Sequence, residues 1–73
     1  MIKVETHLFK NSSNLLRADY DNLVNVMTLF FKNGTTYQYV AIPYEVFEEF
    51  KKAESAGRFF LLNIKGKFEH MKR

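Results

Sequence analysis

VMTLFFKNGTTYQYVAIP, residues 26–43, decides the fold. Two runs rich in β-branched and aromatic residues flank Asn33-Gly34, and Pro43 closes the second. Asn-Gly between alternating apolar runs is a strong hairpin signal, because a type I′ turn needs positive φ at both central residues. The pattern predicts a central hairpin over 26–42 in which Lys32 faces Thr35, Phe31 faces Thr36, Phe30 faces Tyr37 and Thr28 faces Tyr39. Side chains alternate along a strand. One face then carries Met27, Leu29, Phe31, Thr36, Val40 and Ile42, and the other Val26, Thr28, Phe30, Tyr37, Tyr39 and Ala41. Both faces want cover, and so short a chain can cover only one of them well. Function is expected on the less covered one.

Upstream, residues 2–9 (IKVETHLF) alternate with period two, which reads as a half-buried strand. Ile2, Val4, Thr6 and Leu8 form its inner row and Lys3, Glu5 and His7 its outer one. Residues 10–14 (KNSSN) are a polar turn. Leu15 to Tyr20 is a shorter strand, weakened by the adjacent Leu15 and Leu16, and Asp19, Asp21 and Asn22 mark the next reversal.

Downstream, Pro43 suits the first position of a single helix at about 44–56. Val46, Phe47, Phe50 and Ala53 share one face of that helix. Glu45, Glu48 and Glu49 precede Lys51 and Lys52, the order the helix dipole favours, and Gly57 reads as the left-handed stop. The apolar run Phe59–Ile64 packs back, Lys65-Gly66-Lys67-Phe68 is a basic turn or edge strand, and the last five residues fray. The sum is one α+β domain over 1–73, about four antiparallel strands with one helix on a face and a short basic C-terminal segment.

With 73 residues, the domain buries only about 60% of its unfolded surface. Without cysteine it has no disulfide or thiolate site to supplement the core, which must be aromatic: Phe occurs eight times and Tyr four. No run approaches the ~18 apolar residues of a membrane span, and MIKVETHLFK does not resemble a signal peptide. These features predict a soluble, cytoplasmic protein with no membrane partner. The net charge of +3 is uneven. Residues 1–56 hold six Lys/Arg against seven Asp/Glu, whereas residues 57–73 hold five against one. Such a basic end fits an anionic partner or a solvated tail equally well.

No catalytic constellation is present. His7 and His70 lie near opposite ends without acidic neighbours at metal or triad spacing, and the glycines form no phosphate loop. No enzyme, cofactor or metal is expected. Phe30, Tyr37 and Tyr39 are candidates for stacking bases on an open sheet face, set against ordinary cross-strand packing. Arg58, Lys65 and Lys67 could hold phosphates, with Gly66 letting backbone N–H groups approach. Ser13 and Asn14 could form a polar rim or simply make a turn.

Ser12-Ser13-Asn14-Leu15, Tyr20-Asp21, Phe31-Lys32-Asn33-Gly34, Tyr37-Gln38-Tyr39, Ile42-Pro43 and Val46-Phe47 follow one another in an order that resembles the KTSC domain. Ala53, Ser55, Gly57, Phe60 and Ile64-Lys65-Gly66-Lys67 continue the likeness, which runs from about residue 11 to 68. The KTSC domain is a module at the C-terminus of some lysyl-tRNA synthetases and a stand-alone protein in bacteria and phages. The resemblance implies a central Tyr-x-Tyr at Tyr37 and Tyr39 and suggests RNA binding. It departs at Leu61, where the family has Asn, and at Phe68-Glu69-His70-Met71, where the family tail is aromatic and arginine-rich.

Together these readings predict a non-enzymatic module that binds RNA, single-stranded nucleic acid or a nucleotide. Tyr37, Tyr39 and Phe30 would stack bases, while Arg58, Lys65 and Lys67 hold phosphate. The alternative is a protein-interaction or homo-oligomerisation module that buries the same aromatic face, in one form a phage inhibitor sequestering a host nucleotide signal.

Overall fold

The computed structural model describes residues 4–73, and Ile2 and Lys3 of the first predicted strand lie outside them. The described residues form five antiparallel strands in chain order: β1 (Val4–Leu8), β2 (Leu15–Asp21), β3 (Val26–Phe31), β4 (Thr36–Tyr39) and β5 (His70–Lys72). Two helices, α1 (Tyr44–Lys52) and α2 (Ala56–Asn63), lie in the chain between β4 and β5. They pack on one face of the sheet. The α+β architecture of a small antiparallel sheet with a helix on one face is therefore the one the sequence predicts, extended by a strand and a helix.

The central hairpin has a different register from the predicted one. Its ladder pairs Met27 with Tyr39, Thr28 with Gln38, Leu29 with Tyr37 and Phe30 with Thr36, one residue out of step. The loop has three residues rather than two. Gly34 N–H donates to the Phe31 carbonyl (3.0 Å) and Phe31 N–H to the Thr35 carbonyl (2.9 Å). Gly34 alone is left-handed, at φ +92°. Asn33 keeps ordinary φ and accepts the Thr35 N–H on its side-chain oxygen. This is a turn followed by a left-handed glycine bulge, the other common use of Asn-Gly. Because the side-chain period is two, a one-residue shift moves a whole strand to the other face. Tyr37 and Tyr39 consequently join Met27, Leu29 and Phe31 beneath the helices. Thr36 moves to the open face, by the same alternation.

In β1 the expected inner and outer rows are exchanged. Val4 and Leu8 are more than half exposed, while Glu5 and His7 are half-buried on the helix face. The ladder explains the exchange, since Glu5 lies opposite Tyr20 and His7 opposite Ala18, both fully buried. The adjacent leucines of β2 are accommodated by an irregularity in pairing between Leu15 and Arg17. Leu15 stays fully buried and Leu16 is turned out, as an inserted residue allows.

Pro43 is the N-cap of α1, one position ahead of the predicted one, and Phe47 and Phe50 are fully buried from the predicted face. Each contributes about 1.5–3 kcal/mol by leaving water. Phe47 stacks on Tyr20 with ring centroids 4.7 Å apart, and Phe50 stacks on Phe59 at 5.4 Å. The single predicted helix is in fact two. Ala53 leaves α1 with extended backbone (ψ 138°), and Ser55 caps α2 by accepting the Arg58 N–H at 3.2 Å. Gly57 is thus a helical residue of α2 rather than a left-handed stop, and Phe59–Asn63 are helical. Phe60 of α2 packs on Phe31 and Tyr39, with centroids 5.6 and 5.8 Å away. Residues 70–72, predicted to fray, pair instead with β4 as an edge strand.

Candidate functional site

The sequence KNSSN turns from β1 to β2 because its side chains can bond their own backbone. Ser12 Oγ accepts the N–H groups of Asn14 (3.3 Å) and Leu15 (2.9 Å). The hairpin loop braces the segment from outside: Lys32 N–H donates to the Asn14 carbonyl (2.8 Å) and Lys32 Nζ to the Ser12 carbonyl (2.5 Å). Facing this loop is the junction between the helices. An open cleft of about 570 Å³ lies between them, with Ser13 and Asn14 on one rim and Ser55, Ala56 and Gly57 on the other. Phe9 and Phe50 form its apolar base, their rings 4.8 Å apart. A Cβ on Gly57 would stand 3.4 Å from Asn14 Oδ1, so the rims approach closely at one end.

Charge in and around the cleft comes from a few groups. Lys10, Lys51 and Glu54 line it. Lys51 is engaged elsewhere, bonded to Glu5 and 3.0 Å from Glu48, and the hydrogen bond to Glu5 chiefly raises its pKa. His7 packs edge-on to Phe9 at 4.9 Å. Burial, reinforced by the Lys51 charge and opposed by Glu5, holds its pKa below the usual value. It is therefore neutral at pH 7. Among the described residues that leaves Lys10 as the cation of the lining without an ion-pair partner, with Lys32 behind the loop and Arg58 in the first turn of α2. Hydroxyls, amides and such cations recognise an anion by hydrogen bonding. Among the described residues no group of three or more His, Cys, Asp or Glu could hold a metal, and no helix is long and apolar enough to cross a membrane.

The sequence-predicted site residues separate into three places. Ser13 and Asn14 line the cleft, whereas Arg58 does not line it and stands in the first turn of α2, next in the chain to the rim residue Gly57. Arg58 lies inside α2 instead of just past a helix end. Lys65 and Lys67 follow the other end of that helix, about 12 Å of axial rise away. Phe30 remains on the open sheet face, where the Arg17 guanidinium lies 4.2 Å from its ring centroid. Tyr39 is 2% exposed and Tyr37 half-buried, edge-on to Phe31 at 5.8 Å. They cannot share a stacking platform with Phe30. Burial also raises the Tyr39 pKa, with Tyr37 adding to the effect. Sequence reasoning missed Lys10 and the cleft itself. The available signal was a pair of small polar clusters, Ser12–Asn14 and Ser55–Gly57, each of which makes a turn or cap.

A family model described as the KTSC domain matches residues 11–68. The fold resembles a crystal structure of a KTSC domain protein from Yersinia pestis with a TM-score of 0.86 and 35% identity, covering 97% of this chain and 99% of that one. A protein from Tsukamurella paurometabola is 40% identical over 57 residues, which are 78% of this chain and 85% of that protein. Lysine–tRNA ligases from Trichormus variabilis and a Nostoc species are 37% and 34% identical over 70% and 86% of this chain. The match spans only 9% and 11% of those ligases. A fold matched end to end, and a family pattern running from the cleft loop to the turn after α2, make this chain a member of the KTSC domain family.

Proposed function

We propose that the chain is a non-enzymatic binding module whose cleft takes a phosphate-bearing ligand, a nucleotide or the nucleotide unit of a single-stranded RNA. The observation that carries this reading is the meeting of two chain-distant segments, 10–14 and 54–57, around an open cleft with Lys10 in its lining. A volume of about 570 Å³ lies within the usual range for small-ligand sites. Phe9 and Phe50 are too buried to stack a base, so recognition rests on phosphate and sugar rather than on base identity. The occurrence of related sequence within lysine–tRNA ligases supports an RNA or nucleotide partner, and a cytoplasmic setting with it.

The test is a titration of the chain with mononucleotides and short single-stranded RNAs across a range of salt. One or two phosphate contacts by Lys10 and Arg58 predict that log K falls against log salt with a slope of about −0.7 to −1.4. Ser13→Trp, which fills the cleft from an exposed loop position, should abolish binding while the protein stays folded. Absence of binding to every probe at millimolar concentration, or binding unchanged in Ser13→Trp, would overturn the reading.

A further inference from the structure

Both helices pack on the same side of the sheet, and the other side has no cover among the described residues. Its rows follow from the ladders: Leu8, Arg17, Phe30 and Thr36 lie side by side, and Thr6, Asp19, Thr28, Gln38 and Met71 form the next row. Leu8 is 56% exposed and Met71 58%. Adjacent rows thus set a cation, Arg17, beside an anion, Asp19, in the middle of a partly apolar surface. Their own contact is loose. Arg17 Nη2 is 3.5 Å from an Asp19 carboxylate oxygen, and the other Asp19 oxygen accepts Thr6 Oγ1 at 2.8 Å. Arg17 Nε is buried without a hydrogen-bond partner among the described residues, although the guanidinium carbon lies over the Phe30 ring. A guanidinium has five donors in a fixed fork, and among the described residues this one has no partner for Nε and only a 3.5 Å approach to Asp19.

We propose that this face binds a second copy of the chain, through a two-fold axis lying between the sheets and passing between the Arg17 and Asp19 rows. A two-fold interface is self-complementary, so a contact from residue i to residue j occurs twice. That axis sets each Arg17 against the other copy's Asp19 and closes a ring of four alternating charges. It also sets Leu8 and Phe30 over the threonines of the neighbouring row, away from water. A lone ligand or an unrelated protein has no reason to match a charge pair centred in this way. The same face paired with itself does. The cleft belongs to the loop and the helix junction, so this inference stands whether or not the cleft binds a phosphate.

Sedimentation equilibrium on the full chain tests it by charge exchange. Wild type is expected to dimerise, and a protein that stays monomeric up to about 1 mM overturns the proposal. Arg17→Asp and Asp19→Arg should each weaken self-association at least tenfold, by placing like charges across the axis. Mixed in equal amounts, the two variants should recover it as a heterodimer, because both cross-axis pairs are then opposite in sign. Failure of the mixture to recover overturns the proposal, as does a dimer that survives both single changes but dissociates in Leu61→Glu/Leu62→Glu on the exposed side of α2. Should Arg17→Asp not fold, Arg17→Gln mixed with wild type and Met71→Lys give the same discrimination. The proposal requires both to weaken the dimer, and an unchanged mass for both overturns it.

Discussion

The Tyr20 hydroxyl donates a 2.6 Å hydrogen bond to the Ile42 carbonyl, joining the middle of the sheet to the segment that enters α1. Asn25, left-handed at φ +58°, brings its Nδ2 to the same pair, 2.9 Å from the hydroxyl and 3.3 Å from the carbonyl. Tyr20→Phe keeps the ring on Phe47 but removes the donor and one acceptor from a buried cluster. Because Asn25 still reaches the carbonyl, the expected cost is about 1–2 kcal/mol. A urea melt checks it, and an unchanged midpoint would show that the hydroxyl contributes nothing to holding β2 to the α1 entry.

Tyr39 and Tyr37 should differ from each other more than a shared motif suggests. Tyr39→Ala empties a site 2% exposed against Phe60, and large-to-small changes of this kind cost roughly 3–5 kcal/mol. That is enough to unfold so small a domain. Tyr37→Ala removes a half-buried ring near the sheet edge and should cost no more than half as much. Thermal melts of the two variants decide, and equal losses would contradict the β3–β4 register.

What the sequence disclosed and what it concealed both turn on this hairpin. Its existence, Gly34 as a left-handed residue, and the apolar row Met27, Leu29 and Phe31 were all legible. Its register was not, because Asn-Gly serves a two-residue loop with both residues left-handed and a three-residue loop with only the glycine so. The choice lies in pairing energies over the whole sheet. That one-residue difference moved Tyr37 and Tyr39 from the candidate site into the core. The β1 rows went wrong for a related reason: Glu5 faces inward opposite Tyr20, where Lys51 of α1 receives it, and His7 follows in the same row opposite Ala18. Nothing in a local alternation reports such distant partners. At the cleft, Ser13, Asn14 and Arg58 were singled out as residues, but what sets the helix beside the loop is a break at 53–55 that local periodicity reads as continuous helix.

That break gives a paired prediction. Ser55→Ala removes the cap of α2 and should cost about 1 kcal/mol. Gly57→Ala should instead be neutral or stabilising by up to about 1 kcal/mol, since Gly57 is helical and its new Cβ meets Asn14 Oδ1 at an ordinary 3.4 Å. If Gly57 were the left-handed stop of one long helix, the alanine would be destabilising, so the sign of the change in a melt is decisive.

The pH dependence of stability should fall off at both ends for identifiable reasons. His7 has a depressed pKa in the fold, mainly from burial. Its contribution is complete above the unfolded value of about 6.5 and is lost as pH falls from there through the folded pKa. Tyr44 is the opposite case: its hydrogen bond to Glu48, with burial and the Glu48 charge adding, pushes its pKa up to about 12. The neutral hydroxyl favours the fold below the unfolded value of about 10, and that contribution disappears as pH rises toward 12. Melting temperatures from pH 4 to 12 should therefore drop at both ends, with His7→Phe flattening the acid limb and Tyr44→Phe the alkaline one. Limbs unmoved by these changes would assign the titrations elsewhere.

The last prediction separates the cleft from the basic C-terminal segment as the place where an anion is held. Lys10 lines the cleft and Arg58 stands in the first turn of α2, whereas Lys65 and Lys67 are exposed beyond its far end. If phosphate is bound between the 10–14 loop and the helix junction, Lys10→Ala and Arg58→Ala should each weaken nucleotide or RNA binding about three- to tenfold. Each should also reduce the salt slope by somewhat less than one. Lys65→Ala/Lys67→Ala removes two charges where each single variant removes one, so it is a stringent control for long-range attraction. At physiological ionic strength the Debye length is about 8 Å, and charges a helix length away are largely screened. The double variant should leave both affinity and slope nearly unchanged at 0.15 M salt, with a modest loss only at low salt. The reverse pattern, a large effect from Lys65→Ala/Lys67→Ala and none from Lys10→Ala, would move the site to the turn after α2.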